Sequence, residues 1–248
     1  MSPTHLFPVK IRSCDPSSLG SADAAFTGMG DDGHDYVIKT VEKTAGAPAA
    51  EWFCHRLCEI CGIAVPKYSI VLLAGHKPAF GSRYDDVARS NQTIALSIFA
   101  GSIQANILAE RLSAIYVFDL FVNNDDRHVG NYLFTKGIKD YAVLAYDFSR
   151  AWTYHNWPLP SLPMGRCNTT VFFQDWKKHN PFDIVAAEEL LKKLETINPP
   201  IVQEIYKTMP KEWLPKAVSS SVVKWWSQGG RLQRIKQIRE GIKNGSFI

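Results

Sequence analysis

The sequence predicts an α+β protein of two lobes, a small β-rich lobe followed by a helical one. Three observations predict it. Short extended runs separated by turn residues fill the first hundred positions, with room for a single helix among them. From Ile103 onward the apolar residues change to the 3–4 spacing of buried helices. No internal repeat or low-complexity tract breaks this order, and strands first with helices last is the α+β arrangement. The expected boundary divides the chain into 1–100 and 101–248.

Each element follows in turn. Val9–Arg12 alternates as a strand does. Ala24–Thr27 and Tyr36–Lys39 flank Asp31-Asp32-Gly33, and Asp-Gly between two extended runs predicts a hairpin. A helix is expected over Ala47–Cys61, with Pro48 suited to its first turn and Gly62 to its stop. Pro66 precedes an apolar strand, Tyr68–Leu73, and the apolar run Thr93–Phe99 reads as another. Ile103, Ile107, Leu108, Leu112, Ile115, Phe118 and Phe121 mark a long buried helix, ended by the polar knot Asn123–His128 with Asn131 just beyond. Tyr132–Phe134 and Ala142–Ala145 read as paired strands joined by a Lys/Gly/Asp turn. A Trp- and Pro-rich loop then runs from Asp147 to about residue 181, carrying Trp152, Trp157, Trp176, Pro158, Pro160 and Pro163. Helices over Asp183–Leu194, Pro200–Thr208 and Ser219–Lys243 complete the chain.

Composition removes several classes. The 248 residues are 46% apolar and 21% charged, which excludes intrinsic disorder. Lys+Arg exceed Asp+Glu by 28 to 24, too small an excess to imply a polyanionic partner, so nucleic acid is not expected. No apolar run approaches the roughly 20 residues of a transmembrane segment, and the first residues lack the apolar core of a signal peptide. With five cysteines, an odd number, the expected location is a reducing cytoplasm. Cys54, Cys58 and Cys61 lie on one helical face beside His55 and read as buried thiols rather than a metal site. Lys224–Lys243 carries six basic residues against Glu240, with Trp225, Trp226, Leu232, Ile235, Ile238 and Ile242 as an apolar stripe. It reads as a helix packed on the larger lobe with a solvated basic face.

The knot Asn124-Asp-Asp-Arg-His-Val-Gly-Asn131 carries the chemistry. Charged and amide groups between a buried helix and a buried strand are costly unless they are paired or bind ions. Asp126 and Asn131 are five apart, and Asp147 ends the strand that returns beside them. Phosphoryl transfer needs such a set: one carboxylate to orient the attacking hydroxyl, and an amide oxygen with a second carboxylate to hold Mg²⁺ on nucleotide phosphates. Counting back from Asn131 selects Asp126 over Asp125 as the first carboxylate. The same chemistry needs a strand lysine and an acidic helix partner, supplied by Lys39 and Glu51. Upstream, Pro16–Ser21 is a small-residue loop whose backbone N–H groups at Ser18, Gly20 and Ser21 suit phosphates. No P-loop signature occurs.

These residues resemble the HipA-like kinase domain family, small relatives of the HipA serine/threonine kinases. The resemblance rests on Asp35-Tyr-Val-Ile-Lys39, Ala50-Glu-Trp52, Gly62-Ile-Ala-Val-Pro66, Phe80-Gly-Ser82 and Asn124–Asn131. It continues through Ala145-Tyr-Asp-Phe148 and Met209-Pro-Lys-Glu-Trp213. It implies a bilobal protein-kinase-like fold and an ATP- and Mg²⁺-dependent transferase acting on a protein hydroxyl. By it, Lys39 contacts the ATP phosphates, Glu51 anchors Lys39, Asp126 is catalytic, and Asn131 and Asp147 hold Mg²⁺. His128 shapes the catalytic loop or assists proton transfer. The family also suggests self-phosphorylation, for which Ser17, Ser18 and Ser21 are candidates, and a regulatory partner protein. Because Asp126-Arg127-His128 is also similar to the loop of phosphoinositide kinases, a lipid or small-molecule acceptor stands as the alternative. A nucleotide-binding module without turnover is a further one.

Overall fold

A computed structural model describes residues 8–16, 26–84, 92–103, 106–136, 141–155, 157–162 and 164–248. Val9–Pro16 (β1), Phe26–Gly30 (β2) and Asp35–Lys39 (β3) run antiparallel, with the expected turn between the last two. Tyr68–Leu72 (β4) and Pro78–Arg83 (β5) form a second hairpin. Pairing of β3 with β5, and of Val9 with Val71 in parallel, closes a barrel in the order β1-β2-β3-β5-β4. β5 was not expected from sequence, because Pro78 opens it and Gly81 breaks its alternation. The barrel interior holds a small core of Val9, Tyr36, Ile38, Val71 and Ala79. The proposed phosphate loop at Ser18, Gly20 and Ser21, with Ser17, lies outside the described residues.

The helix Ala47–Cys61 (α1) has the expected bounds, with proline in its first turn and Gly62 at its end. Gly62 adopts φ 76°, where a side chain would be strained, and its N–H returns to the Cys58 and Glu59 carbonyls. α1 is buried on nearly every side. Phe53 stacks on Trp152 at 4.6 Å and on Tyr206 at 5.2 Å, so α1 packs into the core of the later helices. Cys54, Cys58 and Cys61 are buried free thiols, and burial pushes that of Cys61 up to about 12.

Three expectations are corrected. Gln92–Phe99 (α2) is a helix, not a strand, because its buried residues fall at Ala95 and Ile98 with Phe99 packed beside them, while Leu96 faces out. A short apolar run cannot settle that choice by hydropathy alone. The expected loop after Asp147 contains a 3₁₀ turn, Trp152–His155, and the helix Asn168–Lys177 (α4). That helix is held by Thr169, Phe173 and Trp176, a 4–3 spacing hidden among polar residues. The last expected helix is two, Lys216–Ser227 (α7) and Gly230–Lys243 (α8), broken where Gly229 takes φ 87°.

The remaining elements are close to expectation. Asn106–Val122 (α3) is the long buried helix, Ile103 lying ahead of it. Tyr132–Lys136 (β6) and Tyr141–Ala145 (β7) pair antiparallel, their turn at 137–140 lying outside the described residues. Ile184–Thr196 (α5) and Pro199–Lys207 (α6) are capped by Asp183 and Asn198, whose side chains accept from the Ala186 and Ile201 N–H groups.

The basic face of α8 is not wholly solvated. Arg234 is buried and donates to the carbonyls of Leu120 at 2.8 Å, Phe121 at 2.7 Å and Pro160 at 2.8 Å. It therefore satisfies orphan carbonyls at the C-terminus of α3, where a cation also suits the helix dipole. Arg239 meets Glu188 and Glu195 on α5. Ile235, Ile238 and Ile242 are buried as expected, whereas Leu232 is exposed. No helix among the described residues is long and apolar enough to cross a membrane.

Candidate active site

The site begins with Lys39, the last residue of β3. Tyr36 and Ile38 fill the barrel interior, so the alternation of β3 turns Lys39 to the outer face, where its side chain is 4% exposed beneath α1. An ammonium has three N–H donors, and here each has an acceptor. They reach Glu51 Oε1 at 2.5 Å, Asp147 Oδ1 at 2.7 Å and Ser149 Oγ at 2.7 Å. The lysine comes from the barrel, the glutamate from α1, and the other two from the segment after β7.

Glu51 does more than pair with Lys39. Its Oε1 also accepts the Phe148 backbone N–H at 2.9 Å and the Ser149 hydroxyl at 3.0 Å, tying α1 to the Asp147 segment. One turn on, His55 donates from Nδ1 to the Glu51 carbonyl at 2.9 Å and sits among the rings of Tyr68, Phe80 and Phe148. Burial pushes the His55 pKa down to about 3, helped by the nearby Lys39 and Arg127 charges, so the ring is neutral.

Burial opposes the charges of this cluster; pairing overcomes it at Lys39 and Asp147, whereas burial still holds the Glu51 pKa above its ordinary value. Desolvation would lower the Lys39 pKa, but the Asp147 and Glu51 carboxylates outweigh it and hold the ammonium charged. Desolvation would raise that of Asp147. Lys39 and a Ser149 hydrogen bond overturn it and keep the carboxyl below the usual range. Asp147 has φ 61°, a left-handed conformation uncommon outside glycine, though aspartate and asparagine adopt it more readily than other side chains.

The loop between α3 and β6 supplies the other groups. Arg127 is its anchor. The buried guanidinium grips Asp119 of α3 in a bidentate pair, Nε to Oδ2 at 2.8 Å and Nη2 to Oδ1 at 2.9 Å. It also donates to the carbonyls of Asn131, at 2.9 Å, and Tyr146, and lies 4.6 Å over the Phe148 ring. One side chain thus fixes α3, the loop and the strand that delivers Asp147. Asn131 is brought beside that strand because its carbonyl accepts the Tyr146 N–H, extending the Tyr132–Ala145 pairing.

Each expected residue of the loop has a definite place. Asp126 is partly exposed, with Asn168 Nδ2 at 2.5 Å from Oδ1 and Arg150 Nε at 3.4 Å from Oδ2. Asn131 is buried and donates from Nδ2 to the Asp126 carbonyl at 2.9 Å, which turns its amide oxygen away. His128 is exposed and accepts the Gly130 N–H at 3.0 Å, capping the 3₁₀ turn at Val129–Asn131. That contact is a loop-shaping one.

Lys39, Glu51 and Asp147 are therefore in direct contact, and Asp126 and Asn131 lie on the adjoining loop. Sequence reading missed Ser149, Arg150, Asn168 and the Asp119–Arg127 pair. Only the pair left a signal, since Asp119 is a lone charge inside the apolar run Phe118–Phe121 and demands a buried partner.

The donors suit a hard divalent cation. An amide oxygen turned off its own hydrogen bond and a carboxylate held ionised are the ligand types Mg²⁺ takes, and neither is a thiol or imidazole.

Comparison with known proteins identifies the family and the fold. The profile of the HipA-like kinase family matches residues 15–240, and the chain belongs to that family. Among solved structures it is similar to the Helicobacter pylori proinflammatory kinase CtkA, with TM-score 0.59 and 14% identity, covering 92% of this chain and 95% of that one. It is also similar to a chain of the Shewanella oneidensis MR-1 toxin–antitoxin complex of HipA, HipB and operator DNA. There the TM-score is 0.52 at 14% identity, over 84% of this chain and 60% of the other. A search of curated proteins finds no match. The fold is thus kinase-like, with a β-rich N-terminal region and a helical C-terminal region.

Proposed function

We propose that this kinase transfers the γ-phosphate of Mg·ATP to a serine or threonine hydroxyl of a protein acceptor, itself included. The observation that carries the reading is the Lys39 ammonium held jointly by Glu51, Asp147 and Ser149 where barrel and helices meet, with Asp126 and Asn131 on the loop alongside.

Lys39 binds the nucleotide phosphates, exchanging one of its three acceptors for them while Glu51 keeps it in place. Asn131 and Asp147 are the Mg²⁺ ligands, and the ion when bound neutralises charge on the transferring group. Asp126 orients the acceptor hydroxyl and takes its proton as the oxygen bonds to the γ-phosphorus and the bond to ADP breaks. Positioning and charge complementarity supply most of the rate. The first hundred residues act as the nucleotide lobe and the rest as the acceptor lobe. The protein works in the cytoplasm, and by analogy with the HipA–HipB complex a partner protein regulates it.

The test is an acceptor screen with γ-labelled Mg·ATP, comparing proteins, phosphoinositide vesicles and the chain alone. Label is expected on protein and absent from Asp126→Ala. Label confined to lipid would move the acceptor class. Transfer by Asp126→Ala at the wild-type rate would overturn the assignment.

A further inference from the structure

Asp126 sits on a loop, and a carboxylate that must aim one oxygen at an acceptor needs its rotation fixed. The fixing group is on α4, 42 residues away in sequence. Asn168, the first residue of α4, holds Oδ1 through its amide N–H at 2.5 Å. Arg150 approaches Oδ2 only at 3.4 Å, from a side chain 37% exposed.

The next residue places Asn168. Thr169 is buried, and its hydroxyl donates to the Asn124 carbonyl at 2.6 Å while accepting the Arg127 N–H at 2.9 Å. Its own N–H reaches the Asp125 carbonyl at 3.3 Å. The start of α4 is thereby stitched to residues 124–127. Behind it, Phe173 stacks on Tyr116 of α3 at 3.6 Å and Phe172 meets Phe99 at 4.4 Å, so the helix cannot drift.

We infer that Asn168 is a positioning residue for Asp126, fixing the carboxylate so that Oδ2 faces the acceptor hydroxyl. This rests on the phosphotransferase reading above. An amide suits the task. It fixes geometry by hydrogen bonding without adding a second positive charge to that of Arg150, which would weaken the base further. The weaker Arg150 contact is the one an incoming hydroxyl displaces. Asn168 is also exposed, so its removal leaves no buried group without a partner.

The test compares wild type, Asn168→Ala and Asn168→Asp, measuring kcat and KM for ATP with casein, the chain itself and water as acceptors. Thermal unfolding is measured alongside. Asn168→Ala is expected to lower kcat about 10- to 100-fold with KM for ATP unchanged. Asn168→Asp, isosteric but repelling Asp126, should lose more activity. In the fold, the benefit of an acidic residue in a first helical turn offsets its repulsion of Asp126, so its melting temperature should stay near that of Asn168→Ala while its activity falls further. That split separates positioning from a structural role. Unchanged kcat in both variants, or losses that follow melting temperature, would overturn the inference and leave the kinase reading intact. No transfer by wild type to any acceptor would overturn both.

Discussion

The barrel and the helical body are built on different scales. Among the described residues the barrel core is five buried side chains with Ile11, Phe26 and Leu73 packed beside them, whereas one continuous core runs from Ala49 on α1 to Phe247 near the C-terminus. α1 belongs to the second by packing, although in sequence it lies between two barrel strands. The Lys39–Glu51 pair is thus a bond between two bodies, and the Asp147 segment is clamped to the larger of them. The difference teaches that the glutamate side of the site is fixed and the lysine side rides on the lighter structure.

That comparison can be broken at its heaviest point first. Asp119→Ala removes the carboxylate under Arg127 and leaves a guanidinium buried among α3, the loop and Tyr146. Losing one partner of a buried pair costs about 3–5 kcal/mol, so denaturant titration should show a large share of the protein's stability gone. Next come the two cores. Phe53→Ala opens a hole between α1 and Trp152 and should cost about 3–5 kcal/mol, while Ile38→Val in the barrel should cost about 0.5–1.5 kcal/mol. Equal losses would dissolve the contrast.

A smaller effect comes from His55, where rings from barrel strands meet α1. Its pKa falls from an ordinary value near 6.5 to about 3 on folding. Above pH 6.5 neither state binds the proton and stability is unaffected. Below it the unfolded chain binds a proton that the native state refuses. Stability should then drop by about 1.4 kcal/mol per pH unit down towards pH 3, with Asp147 adding its own loss below about pH 4. Urea titrations at pH 6.5 and 5 check this, since His55→Leu should flatten the slope by that amount.

The residues with chemistry were more legible in sequence than the framework around them. Lys39, Glu51, Asp126, Asn131 and Asp147 are charged or amide residues beside apolar runs and follow the order that the family resemblance implies, so each could be proposed before any fold was seen. The bounds of α1 were legible too, because Pro48 and Gly62 are local signals. Ser149, Asn168 and Arg150 were not, since their partners lie far off in sequence and a serine or asparagine carries no mark of what it will touch. The strand expected at Thr93–Phe99 failed for a related reason. What makes it a helix is burial of Ala95 and Ile98 against the helical core, a fact of packing rather than of local pattern.

The central claim, that Lys39 at the junction of the two bodies receives the nucleotide, is tested most directly by thermal unfolding with and without Mg·ATP. For wild type at 100 times Kd, about 2.7 kcal/mol of added stability is expected. In Lys39→Met, measured against its own nucleotide-free form, most of that gain should vanish. The same upward shift in both proteins would contradict the account.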